Sequence, residues 1–297
     1  MADSLRDAAA LDADVAAVRA GFDISVNAEW ERMVRDLPAQ VSLELHRRML
    51  VRHLRQGHRV LEIGAGPGRF TTMLAELGAR VTVTDVSEAQ LAANRRHVVE
   101  ANAEAAIDAW RVVDARDLSM FADAEFDLTI AFGGPLSYCF EAGGDALRGL
   151  LRITRHGGTV LASVMSLLGT FRYSLAGIVA AEEEFGATAN NAVLNTGDLR
   201  LLGRDGGHIC QMYRSRDIPG LVEQAGGELM EIAASNWASL GDRDALAKIA
   251  ADPQRWATFL EHEERACREP GALDGGTHIL FAARPTDHAR EEPHANR

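Results

Sequence analysis

Val60-Leu61-Glu62-Ile63-Gly64-Ala65-Gly66-Pro67-Gly68-Arg69-Phe70 decides the fold class of this 297-residue chain. A short apolar run ends in glycines at every second position, and a helical pattern, Phe70 to Leu77, follows as far as Gly78. A tight turn from strand into helix needs residues that tolerate positive φ and let a ligand come close to the backbone. The helix behind such a turn offers unpaired N–H groups and the positive end of its dipole. The string therefore reads as the first strand, ligand loop and first helix of an α/β domain.

Outward from it the same alternation continues. Val81-Thr82-Val83-Thr84 is β-branched and ends at Asp85, and Ser87 is placed to cap a helix through Ala101. Strands are expected at 110–113, 126–131 and 159–164, with a helix over 145–155 that Gly157-Gly158 would stop. Upstream, Trp30, Met33, Val34 and Leu37 mark one apolar helix face, and Pro38 opens a second helix carrying Val41, Leu45, Met49 and Leu50. Residues 1–21 read as an Ala-rich helix or a loose segment. After Val164 the regularity lapses; there, 199–202 and 209–213 flank Gly-Arg-Asp-Gly-Gly as a hairpin would. A helix over 217–225, a strand near 229–233, helical material over 242–268 and a strand over 278–283 complete the chain. The tail, 285–297, is almost without apolar residues and is expected to be disordered.

Composition narrows the partners. The 31 basic and 43 acidic residues leave a formal net charge of -12, which argues against a phosphate backbone or an anionic membrane as partner. The three cysteines, Cys139, Cys210 and Cys267, have neither disulfide-framework nor zinc spacing. No apolar run approaches the ~18 residues of a membrane span, and 1–21 lacks a signal peptide's basic start. A cytoplasmic protein is expected; its oligomeric state is not legible.

A glycine turn of this type serves dinucleotides or S-adenosylmethionine (SAM). The dinucleotide fingerprint needs a glycine at position 69, where the chain has Arg69, and no Tyr-x-x-x-Lys pair accompanies it. Glu-x-Gly-x-Gly-x-Gly at the end of a first strand instead resembles the first motif of class I SAM-dependent methyltransferases. Further strings resemble that family in order: Asp85 at the end of the second strand, Asp114 after the third, Phe126–Phe132 as the fourth strand, and Arg155–Val160 as the turn into the fifth. The resemblance covers 58–165 motif by motif and 216–284 by element pattern. It implies a doubly wound, mostly parallel seven-stranded sheet, Rossmann-like, with SAM as cofactor. Glu62, Gly64, Gly66 and Gly68 would form the cofactor loop. Asp85 would hold the ribose hydroxyls beside Val86, with Asp114, Ala115 and Phe132 around the adenine. Asp85 is expected on the surface.

Within the family, the base-modifying enzymes carry Asp/Asn-Pro-Pro-aromatic after the fourth strand, and the catechol type needs an Asp there for magnesium. This chain has Gly133-Gly134-Pro135-Leu136-Ser137-Tyr138. What remains resembles the broad small-molecule branch, acting on an O or N atom of a small acceptor without a metal. C-methylation, an NAD(P)-dependent oxidoreductase and a non-catalytic SAM-binding protein are the alternatives. In this reading 22–284 is the domain, 22–57 forms lid helices, 165–215 is a long cap insert, and 236–275 is a helical insert of undecided role. In-line displacement at a sulfonium methyl draws mainly on positioning and exclusion of water. If a base is used, His208 and Tyr138 are the candidates, with His156 third. Alternation over 208–213 puts His208 on the face of Cys210 and Met212. A solvated hairpin histidine is the plainer alternative, and Glu182-Glu183-Glu184 reads as an exposed helix face.

Overall fold

A computed structural model describes residues 2–203 and 208–286. Helices α1 (Ala2–Ile24), α2 (Val26–Arg32) and α3 (Leu37–His53) precede the sheet. Then come β1 (Arg59–Ile63), α4 (Arg69–Glu76), β2 (Arg80–Asp85), α5 (Glu88–Glu100), β3 (Ile107–Val112) and β4 (Phe126–Ala131). These are followed by α6 (Gly143–Ile153) and β5 (Thr154–Met165). The cap region holds α7 (Leu167–Tyr173), α8 (Leu175–Phe185) and α9 (Ala187–Thr196). The remainder is α10 (Ile218–Gln224), β6 (Gly227–Ala234), α11 (Arg243–Ala250), α12 (Pro253–Ala266) and β7 (His278–Pro285).

The seven-stranded sheet has the order β3-β2-β1-β4-β5-β7-β6. β1 to β5 run parallel, and β7 runs antiparallel to both β5 and β6. Strand alternation feeds two cores. Leu61 and Ile63 face α6 and α10 with Leu147, Leu150 and Val222. Val60 faces α3 and α4 with Met49, Leu50 and Leu74. Burial of such side chains on both faces supplies the main driving force, about 25 cal/mol per Å² of apolar surface. Chain order reverses between β1 and β4, so a crevice opens at their carboxyl ends, where folds of this kind take ligands.

Several boundaries depart from the expectations. Residues 2–24 are helical. α3 begins at Leu37, one residue ahead of the expected Pro38 start, and Asp36 caps it by accepting the Ala39 N–H at 2.9 Å. β3 begins at Ile107. The helix before β5 ends at Ile153, and Gly157 and Gly158 lie inside β5 at a break in register. Gly157 has φ +71°, and a Cβ on Gly158 would stand 2.6 Å from the Asp127 carbonyl. Those glycines answer the approach of β4, not the end of a helix. Among the described residues the expected hairpin does not form either. Leu199–Leu202 is a 3₁₀ turn capped by Asp198, which accepts the Arg200 N–H at 2.9 Å. The second flank makes isolated bridges, Asp198 to Gln211 and Ser166 to Tyr213. Ile209, Cys210 and Met212 are all buried, so this flank is not the half-exposed strand of a surface hairpin. The turn at 204–207 and the tail from 287 lie outside the described residues. Among the described residues no helix is long and apolar enough to cross a membrane.

Candidate active site

The turn after β1 is built from three glycines at positive φ: Gly64 (+65°), Gly66 (+53°) and Gly68 (+104°). At Gly64 the demand is doubled, because a Cβ would also come within 2.5 Å of Pro135 Cγ. Asp85 braces this turn from the end of β2. Its Oδ2 accepts the Gly66 N–H at 2.8 Å and its Oδ1 the Ser87 N–H at 2.9 Å. Only 7% of Asp85 is exposed, which corrects its expected surface position. The strand end is roofed by the glycine loop and by α1. Burial raises the Asp85 carboxyl to about 6, although amide hydrogen bonds oppose the rise.

Behind the loop runs a buried polar relay. Trp110 Nε1 donates to Asn94 Oδ1 (3.1 Å), Asn94 Nδ2 to Thr71 Oγ1 (2.7 Å), and Thr71 Oγ1 to Glu62 Oε2 (2.6 Å). Burial lifts the Glu62 carboxyl to about 8 against the pull of the Thr71 bond, and the Asp85 charge adds to the rise. Two buried oxygens, Glu62 Oε1 and Gln90 Oε1, have no hydrogen-bond partner. Unsatisfied buried acceptors are costly, and both stand at the glycine loop, where a ligand bearing ammonium or hydroxyl donors would satisfy them.

A cavity with an empty volume of about 950 Å³, part of it open to solvent, lies over the loop. Of the residues expected to hold the cofactor, Gly64, Gly66, Asp85, Val86, Asp114, Ala115 and Phe132 line it; Glu62 and Gly68 stand just behind. Tyr138 lines it too. Asp114 is already gripped by Arg116, whose Nε lies 3.1 and 3.0 Å from its two oxygens. A role toward an adenine amine therefore means sharing those oxygens. Phe22, Glu29 and Arg32, all within the 22–57 segment read as lid helices, close the cavity from above; the part of the roof that was not legible in the sequence is Val15 and Val18, earlier in α1. α1 is held down by Arg116 to Asp12 (2.8 Å), Arg200 to Asp14 (3.0 Å), and Gln90 Nε2 to the Phe22 carbonyl (2.7 Å).

Residues 60–158 match the family model described as a methyltransferase domain. The chain is 36% identical over 112 residues to the malonyl-[acyl-carrier protein] O-methyltransferase of Erwinia billingiae, covering 38% of this chain and 41% of that protein. It is 30% identical over 110 residues to the ubiquinone biosynthesis O-methyltransferase of Stutzerimonas stutzeri, covering 37% and 46%. The matched stretch thus spans less than half of either relative. A SAM-dependent methyltransferase from Mesorhizobium loti shares the fold, with TM-score 0.54 at 18% identity over 82% of this chain and 99% of that one. Residues 60–158 are thus a methyltransferase domain, in a chain with the fold of SAM-dependent methyltransferases. SAM is the cofactor of that domain, and the Asp85 carboxylate and the two unpartnered oxygens beside the glycine loop are acceptors that fit its ammonium and hydroxyl donors.

Beside the cofactor cavity of the methyltransferase domain lies a second one that shares Arg32, Met33 and Gly133 with it. α3 contributes Ser42 and His46, β7 contributes His278, and Asn236 and Leu240 come from the region after β6. The helical insert over 236–275 thus helps wall this space. Of the cap over 165–215, the described residues contribute Tyr173 to this space and none to the cofactor cavity. His46 falls on the buried stripe Val41–Leu45–Met49 of α3, so its helical period could have found it. Nothing in the sequence near His278 signals a site.

The two proposed catalytic residues come together. Tyr138 Oη and His208 Nε2 are 3.4 Å apart, with the rings edge to face. Burial raises the Tyr138 pKa above its ordinary value, and desolvation by the surrounding chain lowers that of His208. His208 is exposed and lines neither cavity. His156 lies exposed in β5, away from both, and Glu182, Glu183 and Glu184 are an exposed face of α8. Among the described residues no group of three or more His, Cys, Asp or Glu is placed to hold a metal ion.

Proposed function

We propose that this protein transfers the methyl group of SAM to an O or N atom of a small-molecule acceptor, by in-line displacement and with no metal in the chemistry. The observation that carries the reading is the pair of adjoining cavities meeting at Gly133, the residue two past the end of β4. Two of the relatives are O-methyltransferases by name, and a third, 29% identical over 114 residues, is the glycine N-methyltransferase of Rattus norvegicus, in keeping with an O or N acceptor atom.

Bound in the first cavity, the cofactor supplies a methyl group on a positively charged sulfur. The chain's own residues do the rest. The glycine loop and Asp85 fix the cofactor's orientation, and α1 with Phe22 and Met33 keeps water from the crevice. Glu62 and Gln90 offer their unpartnered oxygens to ammonium and hydroxyl groups. Tyr138 orients the reacting groups from the cofactor side, and His208 acts as a positioning residue through the Tyr138 hydroxyl.

Calorimetric titration of the full chain with SAM, S-adenosylhomocysteine, NAD and NADP tests the reading. Binding of the first two, with thermal stabilisation by mass action and none from the nicotinamides, is expected. Tight NAD binding without SAM binding would refute it, and SAM binding with no methylated product across an acceptor library would leave only a SAM-binding protein.

A further inference from the structure

We propose that the second cavity is built for an acceptor that arrives as a carboxylate, which the enzyme converts to its methyl ester. This rests on the methyltransferase reading above and adds the class of acceptor.

Charge comes first. The charged residues lining the cavity are Arg32, Arg35 and Asp36. The Asp36 carboxylate is occupied: Oδ1 caps α3 at the Ala39 N–H, and Oδ2 meets Arg243 Nη1 at 3.2 Å and Arg35 Nε at 3.6 Å. Arg32 is tied to Glu29 through Nε at 2.8 Å, while its Nη2 reaches toward Gly133, 3.6 Å from where a Cβ would stand. Arg32 and Arg35 are thus each engaged through Nε by an acid, Glu29 and Asp36, and the charged lining of the cavity, two guanidinium groups against one carboxylate, keeps an excess of one positive charge in a chain whose net charge is -12. A planar carboxylate is the natural partner of a guanidinium fork.

Proton bookkeeping points the same way. His46 Nδ1 lies 2.7 Å from the Ser42 carbonyl, which can only accept, so that nitrogen carries the proton. Its Nε2 then accepts from Ser163 Oγ at 3.2 Å, and Ser163 Oγ in turn accepts the Gly133 N–H at 2.8 Å. This relay spends the His46 lone pair on holding the residue between the cavities. Burial keeps His46 near 4, and burial, then the Arg32 charge, holds His278 well below its ordinary value. Neither imidazole is suited to take a proton from an alcohol or an ammonium group. A carboxylate asks for none: its oxygen lone pair forms the O–CH₃ bond as the S–CH₃ pair passes to sulfur, and no proton moves. The neutral ester has lost its attraction to the guanidinium groups, which favours release.

The test uses the full chain saturated with S-adenosylhomocysteine, titrated with benzoate and hexanoate against benzyl alcohol and hexan-1-ol. The carboxylates should bind at least ~10-fold more tightly, about the worth of one charge-assisted hydrogen bond. Arg35→Ala and Arg35→Gln should remove most of that preference while S-adenosylhomocysteine affinity stays within about twofold. The Arg35 side chain is 57% exposed and lines only the second cavity, so these variants are expected to fold. Alcohols binding as well as carboxylates, no carboxylate binding, or a preference that survives both Arg35 changes overturns the proposal. Failure to bind S-adenosylhomocysteine at all would instead overturn the underlying reading.

Discussion

The two cavities are made in different ways. The cofactor cavity has a floor drawn from one short stretch, Glu62 to Gln90, in which a strand, a turn, a helix and the next strand end are joined by local hydrogen bonds. The second cavity draws on α2, α3, the end of β4, the segment after β6 and the start of β7, so its walls lie more than 200 residues apart along the chain. A floor built locally keeps its geometry as long as its own turn survives. A wall assembled at long range depends on the packing of every element behind it, and that freedom lets acceptor preference vary on one cofactor frame.

The largest effect expected from this contrast is at the local floor. Gly64→Ala imposes a side chain at φ +65° against Pro135 and should weaken S-adenosylhomocysteine binding by on the order of 100-fold in a calorimetric titration. Gly57, also at positive φ (+81°) but with open space around it and away from both cavities, is the control. Gly57→Ala should cost only stability, and equal binding losses in the two variants would break the distinction.

The next effect concerns the roof. Arg200 bonds Asp14 of α1 (3.0 Å), Asp198 (2.8 Å) and Glu141, and lies over the Phe140 ring at 4.3 Å. The Asp14 side chain is only 3% exposed. Arg200→Met should cost about 3 kcal/mol in denaturant unfolding, the usual result of removing one member of a buried ion-pair network. By loosening α1 it should also speed S-adenosylhomocysteine dissociation roughly 10-fold in stopped flow. Unchanged dissociation would mean that the roof does not gate the cofactor.

A subtler effect separates floor from packing by pH. The folded-state pKa of Glu62 is raised from 4.5 to about 8, so the stability it contributes is fully present below 4.5 and is lost as pH rises through 8. The melting temperature of Glu62→Gln, relative to the parent protein without ligand, should therefore climb between pH 5 and pH 9. A flat difference would show that burial does not govern this carboxyl.

The smallest effect belongs to His208. Because it reaches the reaction only through the Tyr138 hydroxyl, His208→Ala should lower kcat by less than about 10-fold and leave SAM affinity unchanged. A loss in the range of about 10²–10⁴, as expected for a general base, would place it in direct contact with the acceptor instead.

The alternation of strands and helices, the glycine turn and the cap on α5 were legible because each depends on neighbours within a few residues. Period, φ tolerance and capping chemistry are local properties and leave local marks. Errors gathered where distant chain decided the outcome. Gly157 and Gly158 look like a helix stop until β4 is laid beside them. Ile209, Cys210 and Met212 look like half of a hairpin until the cap buries all three.

The class of fold thus followed from the string at Val60–Phe70, and the cofactor from the family resemblance carried by that string with the acids at the end of β2 and after β3. What only the tertiary structure decided is which distant groups meet: Asp14 with Arg200, His46 with Ser163 and Gly133, and Arg32 between two cavities. Such pairings are set by how helices lie across a finished sheet, and no period in the sequence encodes that distance.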